Sequence, residues 1–216
     1  MTIFSLSTKI FLREFRSGQL LLMFLSLSLA VGIVASITFF TDRLDGSLMM
    51  ESKQFLGGDL KYESDTPLDE SLFPIGDYSY ASIYEFGSVL GSSKKFQLAS
   101  VKSVSPPYPL IGEFEILKKY DQRVLETNPP KSGKVWLDTR LANLLEVTID
   151  DVINIGEKDF SISGIILAES DRGAGSFAFA PKAIMNSSDL EEANLIQPGS
   201  RVRYSYVFDG SQEAIK

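Results

Sequence analysis

Between Asp171 and Pro181 the chain reads DRGAGSFAFAP, with two glycines and a serine set between an apolar run, FSISGIILA, and a helix-like run, KAIMNSSDLEEANL. Strand, glycine loop and helix in that order is the setting in which backbone N–H groups hold phosphate, so nucleotide binding and nucleophilic attack are the two chemistries to test. A Walker loop needs a lysine after its last glycine and then Ser or Thr for magnesium, whereas Gly175 is followed by Ser176 and Phe177. A nucleophile elbow needs glycine two residues to either side of its serine, and Ser176 has Ala174 and Ala178 there. There is no histidine and no cysteine. That removes imidazole bases, thiolate nucleophiles, disulfides and Cys/His zinc sites together. Ser176 with Lys182 makes a formal Ser-Lys pair, but both types are too common for the pairing to be specific. The loop is best read structurally: Gly173 and Gly175 permit backbone angles closed to other residues, and Pro181 is placed to begin a helix.

Carboxylate pairs are the remaining candidates for acid-base work. Asp69 with Glu70, Asp150 with Asp151 and Glu191 with Glu192 are each adjacent in sequence, so their side chains diverge and read as solvated surface. No catalytic, cofactor-binding or metal residue is assigned, and the chain reads as a non-enzyme. Formal net charge is -7. Of 21 basic and 28 acidic residues, only Lys9, Arg13, Arg16 and Glu14 fall before residue 42, leaving 18 basic and 27 acidic from residue 42 onward. An acidic body without a basic stripe argues against nucleic acid.

The elements that would have to position any site begin with a membrane segment. From Ser17 to Thr41 no residue is charged, and Leu20 to Phe40 is almost wholly apolar. A helix over that core spans roughly 30 Å, the thickness of a bilayer's hydrocarbon region. A signal peptide is the alternative, but the apolar run continues past Ala35 and Ser36 through Phe39 and Phe40. Lys9, Arg13 and Arg16 precede the span, and no basic excess follows it. This predicts a cytoplasmic N-terminus and an outer acidic domain in the cell membrane. Residues 1–16 read either as an amphipathic segment lying among lipid headgroups or as an ordinary basic flank. Leu44, Leu48 and Phe55 form one stripe that predicts a stalk helix over 42–56, which Gly57 and Gly58 then stop.

Residues 57–216 read as an α+β domain. Strands are predicted over 59–63, 78–90, 95–104 and 201–208, a helix over 137–147 capped by Asp138, and a hairpin about the GEKD turn after it. SPPYP (105–109) and NPPKSGK (128–134) mark loops, the first a turn rather than a polyproline ligand and the second a seam between two subdomains.

Taken in order, LREFRSGQLLLMFLSLSLAV (12–31), FLGGDLKYES (55–64), VKSVSPPYPLIGEF (101–114), KVWLDTRLANLLEV (134–147), DRGAGSFAFAPKAIMN (171–186) and LIQPGSRVRY (195–204) resemble the FtsX-like permeases of ABC transporters. The likeness is closest to the YbbP-like branch, whose external domain is similar to the MacB-type periplasmic core. The resemblance implies a permease subunit in which a separate cytoplasmic ATPase drives movement through helix and stalk to the outer domain. It also implies export or extraction of hydrophobic or lipid-like molecules, contact with membrane lipids, and a periplasmic partner or lipid-like substrate. The glycine loop then looks like a family hallmark with no nucleotide role. Such permeases carry further transmembrane helices after the external domain, so the chain resembles the N-terminal piece of a longer protein. Ser211 and Glu213 look like the start of a further helix, and the reading frame is expected to continue beyond Lys216. From the residues alone, a single-span membrane-anchored interaction or sensor module is the alternative.

Overall fold

The structure, a computed structural model, describes residues 7, 10, 13, 18–69, 71, 73, 77–170, 179–197 and 199–210, with Gln19 by its backbone only. All of 1–16 but residues 7, 10 and 13, the glycine loop with Gly173, Gly175 and Ser176, and the C-terminal cap at Ser211 and Glu213 lie outside them.

Helix α1, Gln19–Leu56, runs without a break through both the apolar core and the stripe of Leu44, Leu48 and Phe55. Among the described residues it is the one helix long and apolar enough to cross a membrane, with a mean hydropathy of 2.5 in its most apolar window. Leu22, Phe24, Val34, Phe39 and Phe40 are all exposed along it, as expected of a surface whose natural solvent is lipid rather than water. The chain divides into two compact units, Met1–Met50 and Glu51–Lys216, so the last turns of α1 belong to the second.

The second unit is α+β. Ten strands form one mixed sheet: β1 (Leu60–Ser64), β2 (Tyr78–Gly91), β3 (Phe96–Val104), β4 (Phe114–Lys118), β5 (Gln122–Glu126), β6 (Lys134–Asp138), β7 (Val152–Ile155), β8 (Lys158–Glu169), β9 (Lys182–Asn186) and β10 (Val202–Gly210). Their order is β1-β10-β2-β3-β9-β6-β8-β4-β5, with β7 bridging β2 and β8. The β3/β9 and β6/β8 pairs are parallel and the other pairs antiparallel.

The short helix α2 (Thr139–Leu145) starts where predicted, because the Asp138 carboxylate accepts the Leu141 N–H at 2.6 Å. It lays Leu141, Ala142 and Leu145 on one face of the sheet, over Phe86, Leu90, Val101, Val135 and Ile162. The other face carries a second core of Ile83, Val104, Tyr108, Phe114, Ile116, Trp136 and Ile184.

Two expectations are corrected. KAIMNSSDLEEANL does not form a helix: its first five residues are β9, a central strand hydrogen-bonded to β3 on one side and β6 on the other. Ala183, Ile184 and Met185 are fully buried, and pairing on both sides with burial on both faces outweighs the helical spacing of the run. Pro181 therefore leads into a strand, its carbonyl accepting the Ser100 N–H at 2.8 Å. Residues 128–134 are no subdomain seam either. The sheet is continuous across them, with β6 lying between β9 and β8.

Candidate functional site

Where α1 ends, the sequence Leu56-Gly57-Gly58-Asp59 makes an unusually close joint. Gly57 has a left-handed φ of 74°, its N–H bonds the Gln54 carbonyl at 3.2 Å, and the Gly58 N–H bonds Lys53 at 3.1 Å. Both bonds close the helix in a Schellman turn. A Cβ on Gly58 would overlap the Val207 Cγ1 methyl and lie 2.9 Å from the Phe208 carbonyl oxygen, so only glycine lets the chain pass this close to β10. The Gly57 carbonyl accepts N–H groups from both Leu110 and Ile111 at 3.0 Å, and the Asp59 N–H bonds Phe208 at 2.8 Å. An ion pair between Lys53 and Asp59 at 2.7 Å completes the joint. The Lys53 ammonium holds the Asp59 carboxyl below the usual aspartate range. Burial, and then the neighbouring Asp59, push Asp209 above it.

Behind Gly57 sits Tyr108, the fully buried tyrosine of SPPYP. A Cβ on Gly57 would be 3.2 Å from its ring. Tyr108 leads to Phe114 at 5.9 Å between ring centroids, and Phe114 to Trp136 at 5.4 Å. Its hydroxyl accepts a 2.8 Å hydrogen bond from Lys102 Nζ. Lys102 is fully buried and ion-paired with Glu169 Oε1, while Glu169 Oε2 takes Lys182 Nζ at 2.7 Å. One carboxylate thus neutralises part of the charge of two lysines away from water, the arrangement that makes buried cations tolerable. Glu169 and Lys182 stand on either side of the glycine loop in sequence. The last strand residue before that loop and the first after it are therefore tied, through Lys102 and Tyr108, to the end of α1.

Lys182 Nζ is held by Glu169, and Ser176 lies outside the described residues. Glu70 lies outside the described residues, and the other two carboxylate pairs do not converge. Asp150 pairs with Lys119 at 2.5 Å, Asp151 accepts from Thr148, Glu192 pairs with Lys158, and Glu191 is exposed. Burial pushes the Asp138 carboxyl up, against hydrogen bonds from the Leu141 and Lys182 N–H groups. Among the described residues no cluster of acidic side chains could hold a metal. What sequence reasoning missed is Lys102. Its signal was present in β3, where Phe96, Leu98, Ser100, Lys102 and Val104 share one face. A lysine between Ser100 and Val104 on a face that becomes core needs a buried anion.

This arrangement has no reacting atoms at its centre. It packs the last turns of α1 against the sheet through glycine contacts, a buried ring and a chain of ion pairs. Over 212 residues the chain is 32% identical to the uncharacterised ABC transporter permease YbbP of Escherichia coli (strain K12), an alignment covering 95% of this chain and 25% of that protein. The resemblance to YbbP-like permeases thus holds along almost the whole sequence, and the chain spans about a quarter of the relative's length. No protein-family model matches. The extracellular domain of the ABC-type transporter YknZ from Gram-positive bacteria superposes with a TM-score of 0.43 at 6% identity, covering 62% of this chain and 66% of that one. The periplasmic region of MacB from Actinobacillus actinomycetemcomitans gives 0.39 at 13% identity, over 62% and 58%.

Proposed function

We propose that this chain is part of an ABC transporter permease, in which a separate cytoplasmic ATPase drives α1 and the movement passes through the Gly57-Gly58 joint to the external sheet. The exported or extracted cargo is hydrophobic or lipid-like. The observation that carries this is the 32% identity to YbbP over 95% of the chain. In this proposal residues 1–16 lie on the cytoplasmic side, 17–41 cross the membrane among its lipids, 42–56 form the stalk and 57–216 lie outside. The basic residues Lys9, Arg13 and Arg16 ahead of the span support that orientation. The direct test is affinity purification from native membranes, with an ABC ATPase expected to co-purify. Recovery without any ATPase would favour an anchored single-span module. Cysteine placed at Ser64 or Asn128 should react with a membrane-impermeant thiol reagent on intact spheroplasts, and labelling only after lysis would reverse the orientation.

A further inference from the structure

The sheet face that buries Lys102 and Tyr108 is covered only over part of its area. In the register of β2, β3 and β7, Val89 lies opposite Leu98, and Gly91 lies opposite both Phe96 and Asn154. Since side chains alternate along a strand, Val89, Leu98, Phe96 and Val152 all fall on this face. All four are exposed, Phe96 by 78%.

Beside them is a cleft of about 360 Å³ lined by Phe96, Val152, Asn154, Asp159, Ser92 and Ser93, within the size range of small-molecule sites. It is remote from the joint. Tyr80 pairs with Phe208 beside the helix exit, and Gly91 lies a further eleven residues along β2, or roughly 36 Å.

The charge of the lining selects the occupant. Asp159 is the one acidic side chain in the lining, and among the described residues no cation pairs with it. Asn154 Nδ2 is already engaged, donating to Asp159 Oδ1 at 3.2 Å and to the Lys158 carbonyl at 3.3 Å. Lys95 of the β2–β3 turn is held by Glu146 at 2.7 Å, and Lys94 lies outside the lining. The exposed ring of Phe96 adds a π face, which attracts cations and excludes anions.

We propose that this cleft binds a small lipophilic cation, with its apolar groups against Phe96 and Val152 and its charge toward Asp159. The assignment goes beyond the permease proposal and does not depend on it. Tetraphenylphosphonium and tetraphenylborate, which share a shape and differ in sign, test it by equilibrium dialysis against the full chain in lipid nanodiscs, with empty discs subtracted. Tetraphenylphosphonium should fill one saturable site and tetraphenylborate should bind at least about tenfold more weakly. Phe96→Ala should weaken the cation about tenfold, the equivalent of one lost apolar contact surface. Asp159→Asn should bring the two ions to within about threefold of each other. Both side chains are exposed, so thermal unfolding of the variants should match the parent. No saturable cation binding, equal binding of the borate, or an unchanged Phe96→Ala variant would each overturn the site. Failure to capture an ATPase would instead overturn the permease proposal and leave this one standing.

Discussion

The two ends of β9 carry opposite solutions to the same problem. At its start one carboxylate, Glu169, holds two ammonium groups, Lys102 and Lys182; past its end one ammonium, Lys158, holds two carboxylates, Asp189 and Glu192. The first cluster is sealed around Lys102, which is fully buried, and Glu169, nearly so, while Lys182 is 19% exposed. The second opens to solvent through Glu192, whose side chain is 72% exposed. Water reaches the second cluster through Lys158 and Glu192, and the first only through Lys182. The sealed end also touches the helix joint through Tyr108, whereas the open end ties the loop at Ser132 and Gly133 to the turn after β9. Asp189 is as buried as Lys102, so the two ends differ in whether the cluster reaches the helix joint and in how exposed its outer partner is.

The sharpest way to break this contrast is Glu169→Gln. It leaves Lys102 buried without its anion, and removing one partner of a buried pair costs about 3–5 kcal/mol. Thermal unfolding of the chain in detergent should show the loss. Adding Lys102→Met should recover a large part of it, because the uncompensated charge is then gone. A loss below about 1 kcal/mol for Glu169→Gln would mean the lysines are solvated and the sealed-end account is wrong.

A smaller effect is expected at the joint. Gly58→Ala forces a methyl into Val207 and should cost about 1–3 kcal/mol, with partial recovery on Val207→Ala. Gly57→Ala meets only a 3.2 Å contact but carries the penalty of a left-handed residue, about 1 kcal/mol. If Gly57→Ala proved the more damaging, the close pass of the chain over β10 would not be the constraint.

Much of this frame was legible in the residues. The apolar span, the glycine stop at Gly57 and Gly58, the Asp138 cap and the hairpin about Gly156 are all set by local chemistry, and local chemistry is visible in sequence. The α+β class followed from them. What could not be read was pairing. KAIMN has the spacing of a helix and becomes β9 only because β3 and β6 offer hydrogen bonds on both sides, a decision made 80 residues away in Ser100 to Val104. Glu169 and Tyr108 are likewise unremarkable one at a time, and the pattern around Lys102 asks for an anion without saying which. Their meeting depends on a sheet order, β3-β9-β6-β8, that no local pattern encodes. SPPYP looked like a surface turn because proline marks loops, yet the tyrosine between its prolines is core.

The open end of β9 sets the smallest single effect, at Glu192, and a distinct pH signature. Burial alone would raise the Asp189 carboxyl, but hydrogen bonds from Lys158, Ser132 and the Gly133 N–H hold it below the ordinary aspartate range. A carboxyl lowered on folding contributes stability fully above its unfolded value, about 3.9, and loses it as pH falls through the folded value. Asp189→Asn keeps the shape, removes the charge, and should cost about 1–3 kcal/mol at neutral pH through weakened or unmatched hydrogen bonds. The difference between parent and variant should then shrink as pH falls below about 4, because the parent is losing the same interaction by protonation. Glu192→Gln, at an exposed carboxylate, should change stability by less than about 0.5 kcal/mol at any pH. Unfolding curves for the three proteins at neutral and acidic pH decide it. A parent-to-Asp189→Asn gap that stays constant with pH would show that Asp189 contributes by shape and not by charge, removing the parallel with Glu169.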